Sequence, residues 1–258
     1  MSTITLKKLD HDVCRLIINS GKGNPLTPAF VDDFNHNLMN LSSSPPRALI
    51  IDTDGASIFG AGFALPIIAS WERERLWTFF NRFMEGVHKI LHLECPTITV
   101  VDGHAIAGGF IFSLASDFRV VRNEGIKLGL SEVDLGVAVP ADARALLEER
   151  TSPSDALWLS ATGELISPQR AFEIKYATML SEQPLTQALD LASILAQKPG
   201  SGVAMTTVLA NRRISERMRT ESNLGKDIFL DTWFSEEGQQ GIQRLAQKLR
   251  GRNSQKEG

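Results

Sequence analysis

Two glycines behind a β-branched run, and one glutamate among apolar neighbours, are the parts of this sequence best suited to chemistry. Ile98 to Val101 ends at Asp102-Gly103 and leads through Ala107-Gly108-Gly109 into a run carrying Phe110, Ile111, Phe112 and Leu114. That order reads as a strand, a glycine turn and a buried helix. Glycines that open a helix let a ligand approach the backbone closely, and the first N–H groups of a helix have no partner inside it. Such a place suits developing negative charge, as in an oxyanion hole for an enolate. Further on, Gly129-Leu130-Ser131-Glu132 sets a carboxylate behind a short strand, beside Leu128, Leu130 and Val133. A carboxylate in apolar surroundings has its pKa raised and is a candidate base.

Other chemistries fit the residues less well. Phe110 and Ile111 stand where a P-loop would carry its lysine and hydroxyl, which argues against phosphate transfer. A second glycine loop, Phe59-Gly60-Ala61-Gly62-Phe63-Ala64-Leu65-Pro66, begins like a dinucleotide fingerprint, but Leu65 occupies the place of the third glycine. His88, His92 and His104 stand singly beside apolar runs with no zinc-like cluster, so no metal is expected. Cys14 and Cys95, the only two cysteines, are far apart and read as buried free thiols. The chain carries 27 basic and 30 acidic residues for a net charge of -3, which gives no general field for nucleic acid or an anionic membrane. No stretch approaches the ~20 apolar residues of a membrane span, and the N-terminus lacks the apolar centre of a signal peptide. A cytoplasmic protein is expected.

The stretch from Pro96 to Pro140 resembles the signature of the crotonase, or enoyl-CoA hydratase/isomerase, superfamily. Ser131-Glu132-Val133-Asp134-Leu135-Gly136 with Val139-Pro140 is most similar to its enoyl-CoA isomerase branch. The similarity runs along nearly the whole chain, is strongest from Leu49 to Pro140 and fades in the last third. It implies an α/β fold, a spiral of repeated ββα units with a C-terminal helical region, divided into a core at 1–195 and a helical trimerisation region at 196–258. It implies a CoA thioester, or one carried by acyl carrier protein, as the partner, with no cofactor beyond the CoA of the substrate itself. A homotrimer or hexamer is implied in the same way. Carried over position by position, the amides of Phe63 and Gly108 become the oxyanion hole and Glu132 the single acid/base. Ala61, Gly62, Ile111 and Leu135 then border the substrate. The hydratase branch has a second glutamate at the position of Ile111, which cannot transfer protons, so the pattern favours moving a 3,4 double bond to the 2,3 position over adding water. The family often has an aspartate where this chain has Ala64. The alternatives are another crotonase-type reaction, decarboxylation or dehydration, or a subunit that binds acyl thioesters without turning them over.

The elements that must position these residues are legible in outline. At 258 residues and 43% hydrophobic content, the chain can bury one sizeable core with a helical extension. Ile4 to Leu6 and Val13 to Ile18 suggest an opening hairpin, Thr27-Pro28 a helix start, Pro45-Pro46 its end, and Ala48 to Ile51 a core strand. From Trp71 to Leu93 the spacing of Leu76, Phe80, Phe83, Val87 and Leu91 predicts a long helix. Its aromatic stripe reads as core, with Trp77, Phe80 and Phe83 as acyl-chain walls the functional alternative. Asp117 reads as structural, and Asp134, Asp142, Glu148 and Glu149 as solvated or capping carboxylates. Ser152-Pro153, Ser167-Pro168 and Ser235 mark further helix starts. Amphipathic helices are predicted over 185–195, 203–218 and 242–249. The basic end, Lys248 to Arg252, reads as a solvated helix end with contact to a CoA phosphate as the alternative, and 253–258 as disordered.

Overall fold

A computed structural model describes residues 2–254. The opening hairpin forms from β1 (Ile4–Lys8) and β2 (Val13–Ile18), paired antiparallel. α1 (Pro28–Ser43) begins where the Thr27 side chain accepts the Phe30 N–H at 3.1 Å and ends just before the proline pair. β3 (Ala48–Asp52) then lies parallel to β2.

From β3 onward the chain repeats one path. A strand in a large sheet is followed by a short strand in a small sheet, and helices lead back. The first turn comprises β3, β4 (Ile58–Gly60), α2 (Leu65–Ile68) and α3 (Arg73–Leu91). The second comprises β5 (Thr97–Val101), β6 (His104–Ile106) and α4 (Gly108–Leu114). The third comprises β7 (Phe118–Arg122), β8 (Leu128–Gly129), α5 (Ala141–Arg150), α6 (Pro153–Thr162) and α7 (Pro168–Glu173). β9 (Met179–Ser181) completes the large sheet, whose order is β1-β2-β3-β5-β7-β9; the small sheet is β4-β6-β8. The strands after the hairpin pair with one another in parallel, and one isolated bridge, Leu128 to Ile166, is antiparallel. This is the expected spiral of ββα units.

Parallel strands need both faces covered. One face of the large sheet packs on α1 and α3 around the rings of Phe30, Phe34 and Phe112. The other is covered by α8 (Pro184–Ala196), whose Ala188, Ala192 and Ala196 lie against Ile50, Ile98 and Val120.

The C-terminal helices depart from the sequence-based expectation. α9 (Gly200–Trp233) runs 34 residues, well past the predicted end at 218. The polar stretch 219–223 hides its continuation, because that stretch lacks the apolar periodicity that predicts a helix. Gly225 looks like a helix breaker, but it lies where α9 crosses α5: a Cβ there would collide with that of Ala141. α10 (Glu236–Ser254) opens at Ser235, whose hydroxyl accepts the Gly238 N–H at 3.0 Å. The expectation of disorder from residue 253 is corrected in part: the helix includes 253 and 254, while 255–258 lie outside the described residues. Lys248 and Arg250 are exposed, as expected of a solvated helix end, and Arg250 also donates to the Pro66 carbonyl at 2.7 Å.

Asp117 ties these parts together. One carboxylate oxygen accepts both the N–H and the hydroxyl of Thr97 at 2.8 Å, and the other accepts the Asn211 amide at 2.7 Å. The starts of β5 and β7 are thereby joined to α9. Asp117→Ala leaves the Thr97 N–H and Asn211 without this partner. It is expected to cost about 3 kcal/mol in urea denaturation, with kinetic constants of the folded fraction unchanged.

Candidate active site

The two glycine loops meet backbone to backbone. Gly60 ends β4 and Gly109 lies in the first turn of α4; a Cβ on Gly60 would stand 2.9 Å from the Gly109 Cα. Gly62, at φ +82°, comes next, and a Cβ on it would stand 3.3 Å from the Gly108 nitrogen. On its other side this loop is held by Leu26. The Leu26 N–H donates to the Gly62 carbonyl at 2.9 Å, and the Leu26 carbonyl accepts the Ala64 N–H at 3.2 Å. Those two bonds flank Phe63 in a parallel bridge, so the N–H of Phe63 itself takes no part in the pairing. Gly108 is the first residue of α4, and its N–H has no acceptor within the helix. Just before it, Ala107 has φ 51°, a conformation that costs a residue with a side chain about 1–3 kcal/mol. It is held by its N–H to the Gly129 carbonyl at 2.9 Å, and its own carbonyl accepts the Ile111 N–H at 3.0 Å.

Phe63, Gly108 and Glu132 line one cavity of about 80 Å³. Glu132 opens a single 3-10 turn, Glu132–Leu135, directly after β8 and Ser131. The residue as a whole is half-buried, but its carboxylate oxygen Oε2 is enclosed: it has essentially no solvent contact and no hydrogen-bond partner among the described residues. Burial pushes the carboxyl up to about 7; the amides of Glu132 and Ser131 favour the ionised form and offset only part of that shift. The result is a carboxylate able to exchange protons near neutrality.

Of the other expected substrate-binding residues, Ala61, Ile111 and Leu135 line the cavity. Gly62 does not; it stands behind the wall, spacing Phe63 from Gly108. Phe80 is the one member of the α3 aromatic stripe on the wall. Phe83 is fully buried core, and Trp77 stacks on the outer side of Phe80 at 5.7 Å between ring centroids. The far wall comes from Phe229 and Trp233 on α9 and Leu245 on α10, none of which was picked out from sequence. Phe229, Leu230 and Trp233 do form an apolar group at helical spacing, but it lies beyond the polar stretch where the predicted helix stops.

The neighbouring carboxylates supply no second acid. Glu148 and Glu149 each pair with Arg217 at 2.8 Å. Asp142 corrects half of an expectation: it is buried, not solvated, on a separate groove of about 640 Å³ between α3 and α9, although its Oδ1 does accept the first-turn Ala143 N–H of α5 at 2.8 Å, and burial pushes its carboxyl up to about 6. His88 lines that groove too, its Nδ1 2.8 Å from the Ser215 hydroxyl. Among the described residues, no cluster of three His, Cys, Asp or Glu could hold a metal, and no helix is long and apolar enough to cross a membrane.

A family model described as enoyl-CoA hydratase/isomerase matches residues 9–256. The chain belongs to the enoyl-CoA hydratase/isomerase family. Within it, the chain is 31% identical over 124 residues to the peroxisomal enoyl-CoA delta isomerase 2 of Arabidopsis thaliana, a match that takes in 45% of this chain and 50% of that protein. The chain thus spans about half the length of that relative. It is 21% identical over 227 residues to the mitochondrial enoyl-CoA hydratase of Pongo abelii, covering 87% of this chain and 77% of the hydratase. The fold matches the crystal structure of human mitochondrial delta3-delta2-enoyl-CoA isomerase with a TM-score of 0.88 at 18% identity, over 97% of this chain and 99% of that one. In this crotonase-superfamily member the two glycine loops and the glutamate therefore occupy a shared fold, while isomerases and hydratases both stand among its relatives.

Proposed function

We propose that this protein isomerises 3-enoyl thioesters to 2-enoyl thioesters. The observation that carries the reading is that Glu132 is the one carboxylate among the described residues lining the cavity, with Ile111 on the same wall. A single carboxylate suffices for a shuttle. Glu132 takes a proton from carbon 2, the electron pair passes into the thioester as an enolate, and the amides of Phe63 and Gly108 receive its oxygen. The dienolate then takes the proton back at carbon 4, leaving the double bond between carbons 2 and 3. Each backbone donor to such an oxyanion contributes about 3 kcal/mol to the transition state. The acyl group is carried by CoA, with acyl carrier protein the alternative carrier, and no further cofactor takes part.

Two features of the chain support the remaining parts of the reading. Leu209, Leu224 and Ile228 are large apolar side chains exposed on α9, which supports assembly into a homotrimer or hexamer. Cys14 and Cys95 are buried free thiols, in keeping with a cytoplasmic setting.

The test is to offer purified protein trans-3-hexenoyl-CoA and, separately, crotonyl-CoA. Formation of 2-hexenoyl-CoA without measurable hydration of crotonyl-CoA is expected. Hydration as the faster reaction would reject the assignment in favour of the hydratases. Ile111→Glu adds the second carboxylate to the wall and is expected to introduce hydration of crotonyl-CoA. Isomerisation without any hydration in a folded variant would show that this position alone does not separate the two reactions.

A further inference from the structure

Two residues that line the cavity each carry a buried polar atom with no hydrogen-bond partner among the described residues, and the proposed reaction uses only one of them. Glu132 Oε2 is explained by proton transfer. The other is the indole N–H of Trp233, a lining residue 5% exposed, whose Nε1 has no hydrogen-bond partner among the described residues. Buried donors are rarely left unpaired, because each forfeits its hydration without compensation. Apolar side chains, among them Phe80, Leu135, Val137, Phe229 and Leu245, make up much of the same cavity, and neither the Ser131 hydroxyl nor the Glu132 carboxylate on it accepts the indole N–H. An unsubstituted hydrocarbon chain would leave the indole N–H unpaired in the complex as well.

We propose that Trp233 determines specificity, its indole N–H donating to a neutral oxygen, a carbonyl or hydroxyl, borne on the acyl chain of the substrate. The inference rests on the reading of this cavity as the acyl site. The oxygen is neutral because a single uncharged N–H among apolar side chains cannot compensate a buried carboxylate, and a second carboxylate would also face Glu132. A site built to satisfy a donor in this way discriminates against the ligand that lacks the acceptor more strongly than an apolar pocket discriminates by one methylene.

Binding of saturated thioesters tests this without requiring turnover. Hexanoyl-CoA is compared by calorimetry with 4-oxohexanoyl-, 5-oxohexanoyl-, 6-hydroxyhexanoyl- and adipoyl-CoA, using wild type and Trp233→Phe, which keeps an aromatic ring and removes the N–H. At least one oxo or hydroxy ligand is expected to bind wild type about tenfold more tightly than hexanoyl-CoA. Trp233→Phe should abolish that preference while still binding hexanoyl-CoA, which also shows that the variant is folded. Adipoyl-CoA should bind more weakly than hexanoyl-CoA. Equal binding of the neutral ligands to wild type, or a preference that survives in Trp233→Phe, overturns the assignment of Trp233 and leaves the acyl site standing. If no acyl-CoA binds wild type, the acyl-site reading and this inference fall together. Should Trp233→Phe not fold, the wild-type comparison alone still decides whether a neutral oxygen is recognised.

Discussion

Glu132→Gln is expected to lower turnover of 3-hexenoyl-CoA by about 10⁴-fold, because one group performs both proton transfers and general acid/base catalysis accounts for up to about that factor. Substrate binding should change little, since glutamine keeps the shape and the amides of Phe63 and Gly108 are untouched. The pH dependence of the wild type follows from the same group. As the base, Glu132 must be ionised in the free enzyme, so kcat/KM should fall as pH drops below about 7. Stability runs in the opposite sense. The folded carboxyl titrates at about 7 against 4.5 for an ordinary glutamate, so the native state holds the proton more tightly than the unfolded chain. Its contribution to stability is complete below the unfolded value and is lost as pH rises through about 7, by up to about 3 kcal/mol. Glutamine carries no charge to bury. The variant should therefore be more stable than wild type at pH 8 and nearly equal to it at pH 4, as read by urea denaturation at both. A variant less stable at pH 8 would mean that the carboxylate is better solvated than its surroundings indicate.

Gly109→Ala should damage fold and site together. The new Cβ would lie 2.5 Å from the carbonyl carbon of Gly60 and 2.7 Å from its Cα, and closer still to its oxygen. These are backbone atoms of β4, so no side chain can turn away to make room. Relief requires α4 to move off β4, at a cost of about 3 kcal/mol for forced overpacking. A displacement of about 1 Å at the start of α4 also shifts the Gly108 amide relative to that of Phe63, enough for about a 100-fold loss in turnover. Gly202→Ala is the matched control. It lies within α9, and beyond the helix's own backbone no atom of the described residues comes within 4 Å of its added Cβ, so it should be neutral or stabilise by up to about 1 kcal/mol, with kinetics unchanged. Circular dichroism melts and steady-state kinetics on both variants separate the two effects.

The parts of the site legible in the sequence are those set by short-range rules. Glycine pairs stand where two backbones touch, as at Gly60 and Gly109. The β-branched run Ile98 to Val101 became β5, and serine or threonine before proline marked α1, α6 and α7, whose caps are present. Glu132 could be picked out by its apolar flank and by family resemblance, but its enclosure depends on residues far away in the chain. Phe229, Trp233 and Leu245 reach the cavity only because α9 continues through a polar stretch and Gly225 lets it cross α5 closely. No local pattern carries that information. Asp142 was misread for a related reason: at the start of a helix a carboxylate is ordinarily solvated, but here α3 and α9 close over it. The aromatic stripe of α3 shows the same limit, since helical spacing reveals that Phe80 and Phe83 face inward but not that only Phe80 reaches the cavity.

The most direct test of a single-glutamate shuttle is to follow hydrogen at carbons 2 and 4 by mass spectrometry. Wild type and Glu132→Gln are each incubated with 3-hexenoyl-CoA in deuterated water. Wild type should yield 2-hexenoyl-CoA in which part of the product keeps the original hydrogen, moved from carbon 2 to carbon 4 by the same carboxylate, while the variant gives neither product nor exchange. Product from Glu132→Gln at a rate near that of wild type, or no product and no exchange from wild type, would contradict the account.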